Sequence, residues 1–185
     1  ELAASIAQLV SVTLRGNFRN IDPAKSRILL LDGGTRVLPT FAESLSKKAA
    51  RRLKKLGVEV VTEVKVEKVD DQGVVAAGER IPSATVLWTA GVAASPVVKM
   101  LGTTTDRAGR ALVGPFLDIP EARDVFVVGD AAAMTQDGHP VPGVAQAAIQ
   151  QGRFVGRLIA HRARGRKDGR PFRYRNKGNM AVVGK

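Results

Sequence analysis

Cysteine is absent from this chain of 185 residues, and histidine occurs only twice, at His139 and His161. Without cysteine the chain has no disulfide, no thiolate zinc site and no redox-active dithiol, which excludes enzymes that react through thiols. Two histidines are too few for a histidine metal cluster, so we expect no metal site. Aromatic residues make up only 4% of the chain, so it offers no platform for stacking bases, and we expect no nucleic-acid partner.

Long apolar runs and acidic residues are also scarce. No stretch of about 18 apolar residues occurs and the chain has no signal-like start, so we predict no membrane-spanning segment. The 29 lysines and arginines exceed the 17 acidic residues and give a net charge of +12. Hydrophobic residues account for 44% and charged residues for 25%, which is typical of an α/β chain that is long enough to bury a core.

The first ten residues indicate a helix that is already under way at Glu1. Apolar residues at positions 2, 6, 9 and 10 have helical spacing, and neither Met nor a capping residue precedes them. We therefore expect a larger parent protein, with a strand and a glycine loop ahead of this helix.

An acidic residue ends the first predicted strand. The apolar run that follows Arg27 leads into Asp32-Gly33-Gly34. In a dinucleotide-binding unit, an acid at the end of the second strand accepts hydrogen bonds from the adenosine ribose hydroxyls and repels a 2′-phosphate. Asp32 therefore favours NADH over NADPH. A plain Asp-Gly-Gly turn is the alternative.

The middle of the chain predicts one helix and a small antiparallel sheet. Helical spacing over residues 44–56 gives an apolar stripe of Leu45, Ala49, Leu53 and Leu56. The lysines and arginines between these positions read as a solvated face. Residues 58–61 form a strand, and the alternation, turn and return within residues 64–76 predict an antiparallel excursion.

A domain boundary is expected near Gly91. Residues 84–91 read as a further buried strand that ends in this glycine, and the composition changes directly afterwards. The boundary gives two domains, residues 1–91 and residues 92–185.

The most informative segment is a short apolar run, residues 125–128, that stops at Gly129-Asp130 and continues into small residues. It resembles the second flavin-binding fingerprint of two-domain flavin and nicotinamide oxidoreductases. We interpret it as a parallel strand buried on both faces, with Asp130 at its carboxyl end, where ligands of open α/β sheets bind. Its carboxylate can accept a hydrogen bond from a ribityl hydroxyl of FAD, while Gly129 lets the cofactor approach the backbone. An ordinary strand ending in a turn is the alternative.

A helix is predicted after Pro142-Gly143. Its apolar stripe consists of Ala145, Ala148, Ile149, Gly152, Val155, Gly156 and Ile159. Gln146 and Gln150 lie one turn apart on another face and form one polar patch. The free N–H groups at the helix start can face a flavin pyrimidine and stabilise negative charge there. A surface amphipathic helix is the alternative.

Basic residues are concentrated after this helix and face only one acid, Asp168. The cluster consists of Arg162, Arg164, Arg166, Lys167, Arg170, Arg173, Arg175 and Lys177. Such a cluster can hold a protein against anionic lipid head groups. A solvated loop is the alternative.

Taken in this order, these residues resemble the type II NADH:quinone dehydrogenases, single-chain flavoenzymes of respiratory membranes. Glu1 to Ala3 resembles the end of the family's NADH glycine motif, Arg27 to Leu38 its ribose-binding strand, and Trp88 to Val92 its domain crossover. Ala145 to Gly152 resembles the AQxAxQ segment that characterises the quinone reducers. Tyr174 to Lys185 is similar to the strand region that follows.

The resemblance implies an α/β, Rossmann-like FAD/NAD(P)-binding fold with parallel sheets and a small antiparallel excursion. Residues 1–91 would form part of an NADH-binding domain, and residues 92–185 the carboxyl-terminal part of an FAD-binding domain with the quinone-site helix. It also implies FAD and NADH as cofactors, a quinone as acceptor and a peripheral place on the cytoplasmic face of the cell membrane, and it leaves a homodimer open. The family's FAD glycine loop and membrane anchor are absent, so we expect no turnover by this chain alone.

The resemblance also assigns roles to residues. The cofactor-binding positions are Asp32, Ala90, Gly91, Gly129, Asp130, Val144, Ala145 and Gln146. The catalytic positions are Glu1, Gln146 and Gln150. The two glutamines can orient a quinone carbonyl but are no general acids, because they are amides. Glu1 matches the family's acid after the NADH glycine loop, for which two roles are open: a place near the nicotinamide or the relay of protons.

Two other interpretations stay open. One is a relative with the same fold and another electron acceptor, such as a ferredoxin reductase or an NADH oxidase; the glutamine pair argues for a quinone. The other is a non-catalytic nucleotide-binding or basic interaction module, which weak retention of FAD and NADH by the parent would favour.

Overall fold

The computed structural model describes residues 1–184, which divide into two compact units. The first unit comprises residues 1–89 and 179–184, and the second comprises residues 90–178. The closing residues therefore belong to the first unit, although the sequence assigns them to the second domain. Lys185, the last residue of that predicted domain, lies outside the described residues.

The first unit begins with helix α1 (Leu2–Gln8), which continues as a π-helical turn (Leu9–Thr13). The predicted helix at the start of the chain is thereby confirmed. The side chains of Ala4 and Ala7 are buried against Leu53. Because both are methyl groups, the helix lies close to the strands beneath it.

A parallel pair of strands carries this unit. Strand β1 (Ile28–Leu31) and strand β2 (Val58–Val61) lie side by side and are connected through helix α2 (Glu43–Lys55). Both strands and the helix were predicted. Leu45, however, is 47% exposed, and Ser46 takes the buried position instead. Ser46 can be buried because its hydroxyl donates a hydrogen bond to the carbonyl of Val37.

The predicted antiparallel excursion is confirmed and has one strand more than expected. It consists of β3 (Val66–Asp70), β4 (Gly73–Ala76) and β5 (Glu79–Pro82). A side-chain carbon added at Gly73 would lie 2.3 Å from the Ile81 carbonyl oxygen, at a φ of +131°. Only glycine fits there.

The buried strand predicted for residues 84–91 is wrong. This segment has no regular secondary structure, and Leu87 and Trp88 are 58% and 64% exposed. A strand that is buried on both faces needs ladder partners and covering layers. Within the described residues, β1 and β2 pair only with each other, and residues 84–91 join no sheet.

The second unit is built from short elements. They are α3 (Val97–Met100), β6 (Ala111–Leu112), β7 (Asp118–Ile119), β8 (Ala122–Phe126), β9 (Ala132–Ala133), β10 (Thr135–Gln136), β11 (His139–Pro140) and α4 (Ala145–Arg162). Strands β6 and β9 are parallel, whereas β7–β8 and β10–β11 are antiparallel hairpins. One core cluster packs Leu117 and Phe172 against Ala147 and Val155 of α4.

The parallel, doubly buried strand predicted for residues 125–128 is wrong in detail. Strand β8 ends at Phe126, runs antiparallel to β7 and leaves Val125 36% exposed. A short turn brings β7 directly alongside, and this local hairpin takes the hydrogen bonds that a distant parallel neighbour would need. Val127 is buried beyond the strand, where its N–H donates to the Leu117 carbonyl at 2.9 Å.

Helix α4 is confirmed, but its predicted apolar stripe is largely wrong. Ile149 and Ile159 are 52% and 49% exposed. The buried face consists of Ala147, Gln151, Val155 and Leu158. The prediction failed because it kept glutamine out of the core, whereas the amide of Gln151 has a hydrogen-bond partner there.

Candidate functional site

The Gly129-Asp130 pair forms a tight turn against helix α4. Gly129 to Ala131 make one 3₁₀ turn, in which Gly129 has a φ of +67°. A side-chain carbon added at Gly129 would lie 3.3 Å from the Ala148 methyl carbon. The Gly129 N–H donates to Gln151 Oε1 at 2.6 Å. Glycine is therefore needed both for the backbone conformation and for the close approach to the helix.

Asp130 stands beside the start of α4 with its carboxylate open to solvent. The residue is exposed, and a side-chain carbon added at Gly143 would lie 3.6 Å from Asp130 Oδ1. None of the side-chain hydrogen bonds within residues 1–184 uses this carboxylate. It is thus available to accept hydrogen bonds from a ligand.

The first turn of α4 adds donors to this acceptor. The N–H groups of Ala147 and Ala148 bond to the Val144 carbonyl, so those of Ala145 and Gln146 precede the first helical hydrogen bond. Free N–H groups at a helix start favour an electron-rich ligand atom. The Asp130 carboxylate can accept hydrogen bonds from hydroxyls, as the ribityl chain of FAD requires. The N–H groups at the helix start can donate to a carbonyl, as the pyrimidine edge of FAD requires.

The two predicted quinone ligands differ in their surroundings. Gln146 is exposed, whereas Gln150 is half-buried and already engaged. Gln150 Nε2 donates to the Arg175 carbonyl and Gln150 Oε1 accepts from the Arg175 N–H, both at 3.0 Å. Gln146 is therefore the freer amide, and Gln150 anchors the segment that follows α4.

Gln136 holds the neighbouring residue in the same way. Its Oε1 accepts from the Tyr174 N–H at 2.7 Å, and its Nε2 donates to the Tyr174 carbonyl at 3.3 Å. The adjacent Phe172 is buried and meets Phe154 edge-on, with ring centroids 5.5 Å apart. Sequence reasoning missed this role of Gln136, since nothing local in the sequence pairs it with a residue 38 positions away.

In the first unit, Asp32 lies directly after β1. Its N–H donates to the Val61 carbonyl at 2.9 Å, and its Oδ1 accepts from the Gly34 N–H at 2.8 Å. The carboxylate thus makes the Asp-Gly-Gly turn, which was the alternative interpretation. One carboxylate oxygen makes that turn, and the other can accept a ribose hydroxyl.

The remaining predicted site residues lie in less defined surroundings. Glu1 is exposed, and its Oε1 accepts from the Val182 N–H at 2.8 Å. Ala90 and Gly91 open the second unit as exposed, irregular chain, with a φ of +106° at Gly91. Their predicted roles stay predictions.

Two members of the basic cluster are paired, so the expectation that the cluster faces only Asp168 is wrong. Arg162 contacts Asp168 at 2.7 Å and Asp124 at 3.1 Å, and its guanidinium lies 5.2 Å from the centre of the Phe126 ring. Its pKa is raised above the usual arginine value, mainly by the hydrogen bond to Asp168. Arg173 pairs with Asp137 at 2.6 Å.

No described helix is long and apolar enough to cross a membrane. The described residues also contain no group of three or more histidine, aspartate or glutamate side chains that could hold a metal ion.

Comparison with known families identifies the chain. The model of the pyridine nucleotide-disulphide oxidoreductases matches residues 1–152. The chain belongs to this family. Its fold class, predicted as α/β and Rossmann-like, is thereby confirmed. The NDH2 structure from Plasmodium falciparum in complex with NADH has the same fold: it covers 100% of this chain and 53% of that chain, with a TM-score of 0.85 at 15% identity.

Within the family, two curated relatives confirm the resemblance found in the sequence. The type II NADH:quinone oxidoreductase NdhA of Mycobacterium tuberculosis is 44% identical over 99% of this chain. The type II NADH:quinone oxidoreductase Ndh of the same organism is 43% identical over 99%. The chain spans 41% of the length of each of these relatives.

Proposed function

We propose that this chain works within an FAD-dependent enzyme that transfers electrons from NADH to a quinone. The observation that supports this most is the 44% identity over 99% of the chain to a type II NADH:quinone oxidoreductase. The helix that carries Gln146 and Gln150 starts beside Asp130, which accords with a flavin and a quinone bound close together. The first unit would bind NADH and the second unit would bind FAD.

Different residues of the chain bind different parts of FAD and NADH. Asp130 accepts hydrogen bonds from the ribityl hydroxyls, and the N–H groups of Ala145 and Gln146 hold the pyrimidine edge. Asp32 orients the ribose of NADH. When bound, FAD would supply the redox chemistry between NADH and the quinone, and the protein would supply position and electrostatics.

On the quinone side, the exposed amide of Gln146 orients a quinone carbonyl. Gln150 contributes by fixing the backbone of Arg175 next to it, because both of its amide atoms are bonded there. The two glutamines of the motif therefore have different tasks, one toward the substrate and one toward the protein.

The test separates the two half-reactions in the complete natural protein that carries this chain. We expect Gln146→Ala to leave flavin reduction by NADH unchanged and to slow reoxidation by quinone about tenfold, since the amide contacts only the second substrate. Stopped-flow absorbance of the flavin follows both steps. The control is Ile149→Ala, an exposed side chain on the same helix. Equal slowing of both steps by Gln146→Ala would contradict the proposal.

We also propose that the protein binds peripherally to an anionic membrane surface, on the cytoplasmic face of the cell membrane. Six exposed cations support this: Arg164, Arg166, Lys167, Arg170, Arg175 and Lys177. Each cation near such a surface contributes roughly 1 kcal/mol, and salt screens the attraction. A homodimer stays a prediction.

Vesicle sedimentation tests the membrane proposal with matched charge. Replacing Arg164, Arg166 and Lys167 by glutamine should weaken binding to anionic vesicles at low salt. Replacing Arg51, Lys54 and Lys55 of α2 by glutamine removes the same charge elsewhere and should leave binding nearly unchanged. Equal weakening by both triple variants would mean that net charge alone, and not this cluster, attracts the protein.

A further inference from the structure

Gln151 is the buried polar residue of α4. It is 3% exposed, and it shares the inner face of the helix with Ala147, Val155 and Leu158. Its Oε1 accepts the Gly129 N–H at 2.6 Å, the shortest hydrogen bond that α4 makes to another element within the described residues. The sequence pattern gives Gln151 no role, and the proposed quinone site does not use it.

The hydrogen bond fixes the Gly129-Asp130 turn from outside. Gly129 sits at a φ of +67°, and its Cα faces Ala148 closely enough that an added carbon would lie 3.3 Å from the alanine methyl. The bond to Gln151, at a place where only glycine allows so close an approach to Ala148, therefore holds the turn against the helix. Without the acceptor, the Gly129 N–H would lose its partner in a half-buried place, which favours a shift of the turn.

Gln151 also differs from the other structural amide of this unit. Gln136 grips Tyr174, which is not part of the proposed cofactor site. Gln151 accepts a hydrogen bond from Gly129, the residue directly before Asp130. Any displacement of Gly129 therefore moves the Asp130 carboxylate relative to the N–H groups at the start of α4.

We propose that Gln151 is a positioning residue that sets the distance between the Asp130 carboxylate and the first turn of α4, and through it the affinity and redox potential of the flavin. The proposal rests on the proposed function, because it takes FAD as the ligand of this turn. Gln151 touches no reacting atom itself; it acts through Gly129.

The experiment compares three variants in the complete natural protein. Gln151→Met keeps the length of the side chain and removes the acceptor; it should raise the dissociation constant of FAD about tenfold and shift the midpoint potential of the bound flavin. Gln151→Glu keeps an oxygen at the same reach and should restore the affinity to within about threefold. Gln136→Met removes an equivalent amide elsewhere and should lower thermal stability without moving the potential.

Several results would overturn the proposal. A wild-type potential and affinity in Gln151→Met would do so, and so would an equal change in Gln136→Met, which would mark both amides as merely structural. If the unsubstituted protein bound no FAD, the proposed function would fall together with this inference, whereas normal FAD binding that is insensitive to Gln151 would remove the inference alone.

A second measurement does not depend on the folding of variants. Amide hydrogen exchange at Gly129 in the unsubstituted protein should be slow both with and without FAD, because the proposal assigns the hold on this N–H to Gln151 and not to the cofactor. Fast exchange in the flavin-free protein would show that the turn is not held in advance and would overturn the proposal.

Discussion

Asp32 and Asp130 are both aspartates that follow a strand and lie next to glycine, yet they are held in opposite ways. Asp32 makes its own turn, since its Oδ1 accepts the Gly34 N–H at 2.8 Å. The turn of Asp130 is made by another element, since Gln151 of α4 binds the N–H of Gly129 at 2.6 Å. One oxygen of the Asp32 carboxylate is bonded to the backbone, whereas both oxygens of the Asp130 carboxylate are available to a ligand.

This difference bears on the two proposed roles, that of Asp32 toward a ribose and that of Asp130 toward a ribityl chain. The Asp32 turn leaves one carboxylate oxygen that can accept hydrogen bonds from ribose hydroxyls. An externally held turn depends on distant packing but presents a whole carboxylate at a defined distance from helix N–H groups. The four predictions below test whether this comparison holds, beginning with the largest expected effect.

The strongest test removes the carboxylate that is free for a ligand. We expect Asp130→Ala to raise the dissociation constant of FAD by about 10- to 100-fold, because a buried ribityl hydroxyl loses its acceptor. Flavin fluorescence during titration of the flavin-free complete protein measures this. Asp32→Ala is the matched control and should leave FAD affinity unchanged; equal losses in both variants would erase the distinction between the turns.

The second test separates the two tasks of Asp32. Asp32→Asn retains the oxygen that accepts from Gly34 and removes the charge, so the turn should persist while the ratio of kcat/KM for NADH over NADPH falls about tenfold. Asp32→Ala should lower thermal stability as well as this ratio. An unchanged ratio in Asp32→Asn would leave Asp32 with the turn as its only task.

The third test concerns the glycines. Gly129→Ala should destabilise the second unit by about 1–3 kcal/mol, because a side chain is strained at its φ of +67° and meets Ala148. Gly33→Ala should be nearly neutral, since the nearest atom to an added carbon, the Val64 carbonyl oxygen, is 3.9 Å away. Urea denaturation of the two variants gives the comparison, and equal stability would contradict it.

The smallest effect is expected in acid. The pKa of Asp70 in the first unit is lowered mainly by the hydrogen bond from Arg80, and that of Asp106 in the second mainly by the backbone N–H of Arg110. A lowered folded-state pKa stabilises the fold above the unfolded value of about 3.9 and loses this contribution as the pH falls toward the folded value. The contribution to the stability of the fold is modest because the Asp70–Arg80 and Asp106–Arg110 pairs are near the surface.

Urea midpoints between pH 6 and pH 3 test this. The midpoint should fall below about pH 4, and it should fall less in Asp70→Asn and in Asp106→Asn than in the unsubstituted protein. If the urea midpoint of each variant fell as far as that of the unsubstituted protein, other carboxylates would control the acid response.

The sequence was sufficient for features that depend on neighbours along the chain. Helices α1 and α2, the β1 and β2 strands and the antiparallel excursion follow from residue patterns over a few positions, and for α4 the helix was predicted but not its buried face. The family could also be recognised, because the Gly129-Asp130 pair and the Ala145 to Gly152 segment combine residue type with fixed spacing.

Features that depend on distant partners were not predictable. The burial of Gln151 and Ser46 requires acceptors or donors brought from elsewhere, at Gly129 and Val37. Likewise, the exposure of Trp88 depends on which strands stand beside its segment, and an apolar run carries no information about that. Hydropathy patterns assume that polar groups stay outside, and they fail where a specific hydrogen bond reverses the preference.

The hydrogen bonds that Gln136 and Gln150 make to Tyr174 and Arg175 also bear on self-association of the chain. Peptide groups outside a ladder are templates onto which a second chain can add as a strand. Gln136 bonds to the N–H and C=O groups of Tyr174, and Gln150 bonds to those of Arg175. In the described structure this segment pairs with no strand, and the two side chains cover the backbone groups through which it could pair. Replacement of both glutamines would therefore expose consecutive N–H and C=O groups next to Phe172, and aggregation on storage would accompany the loss of thermal stability.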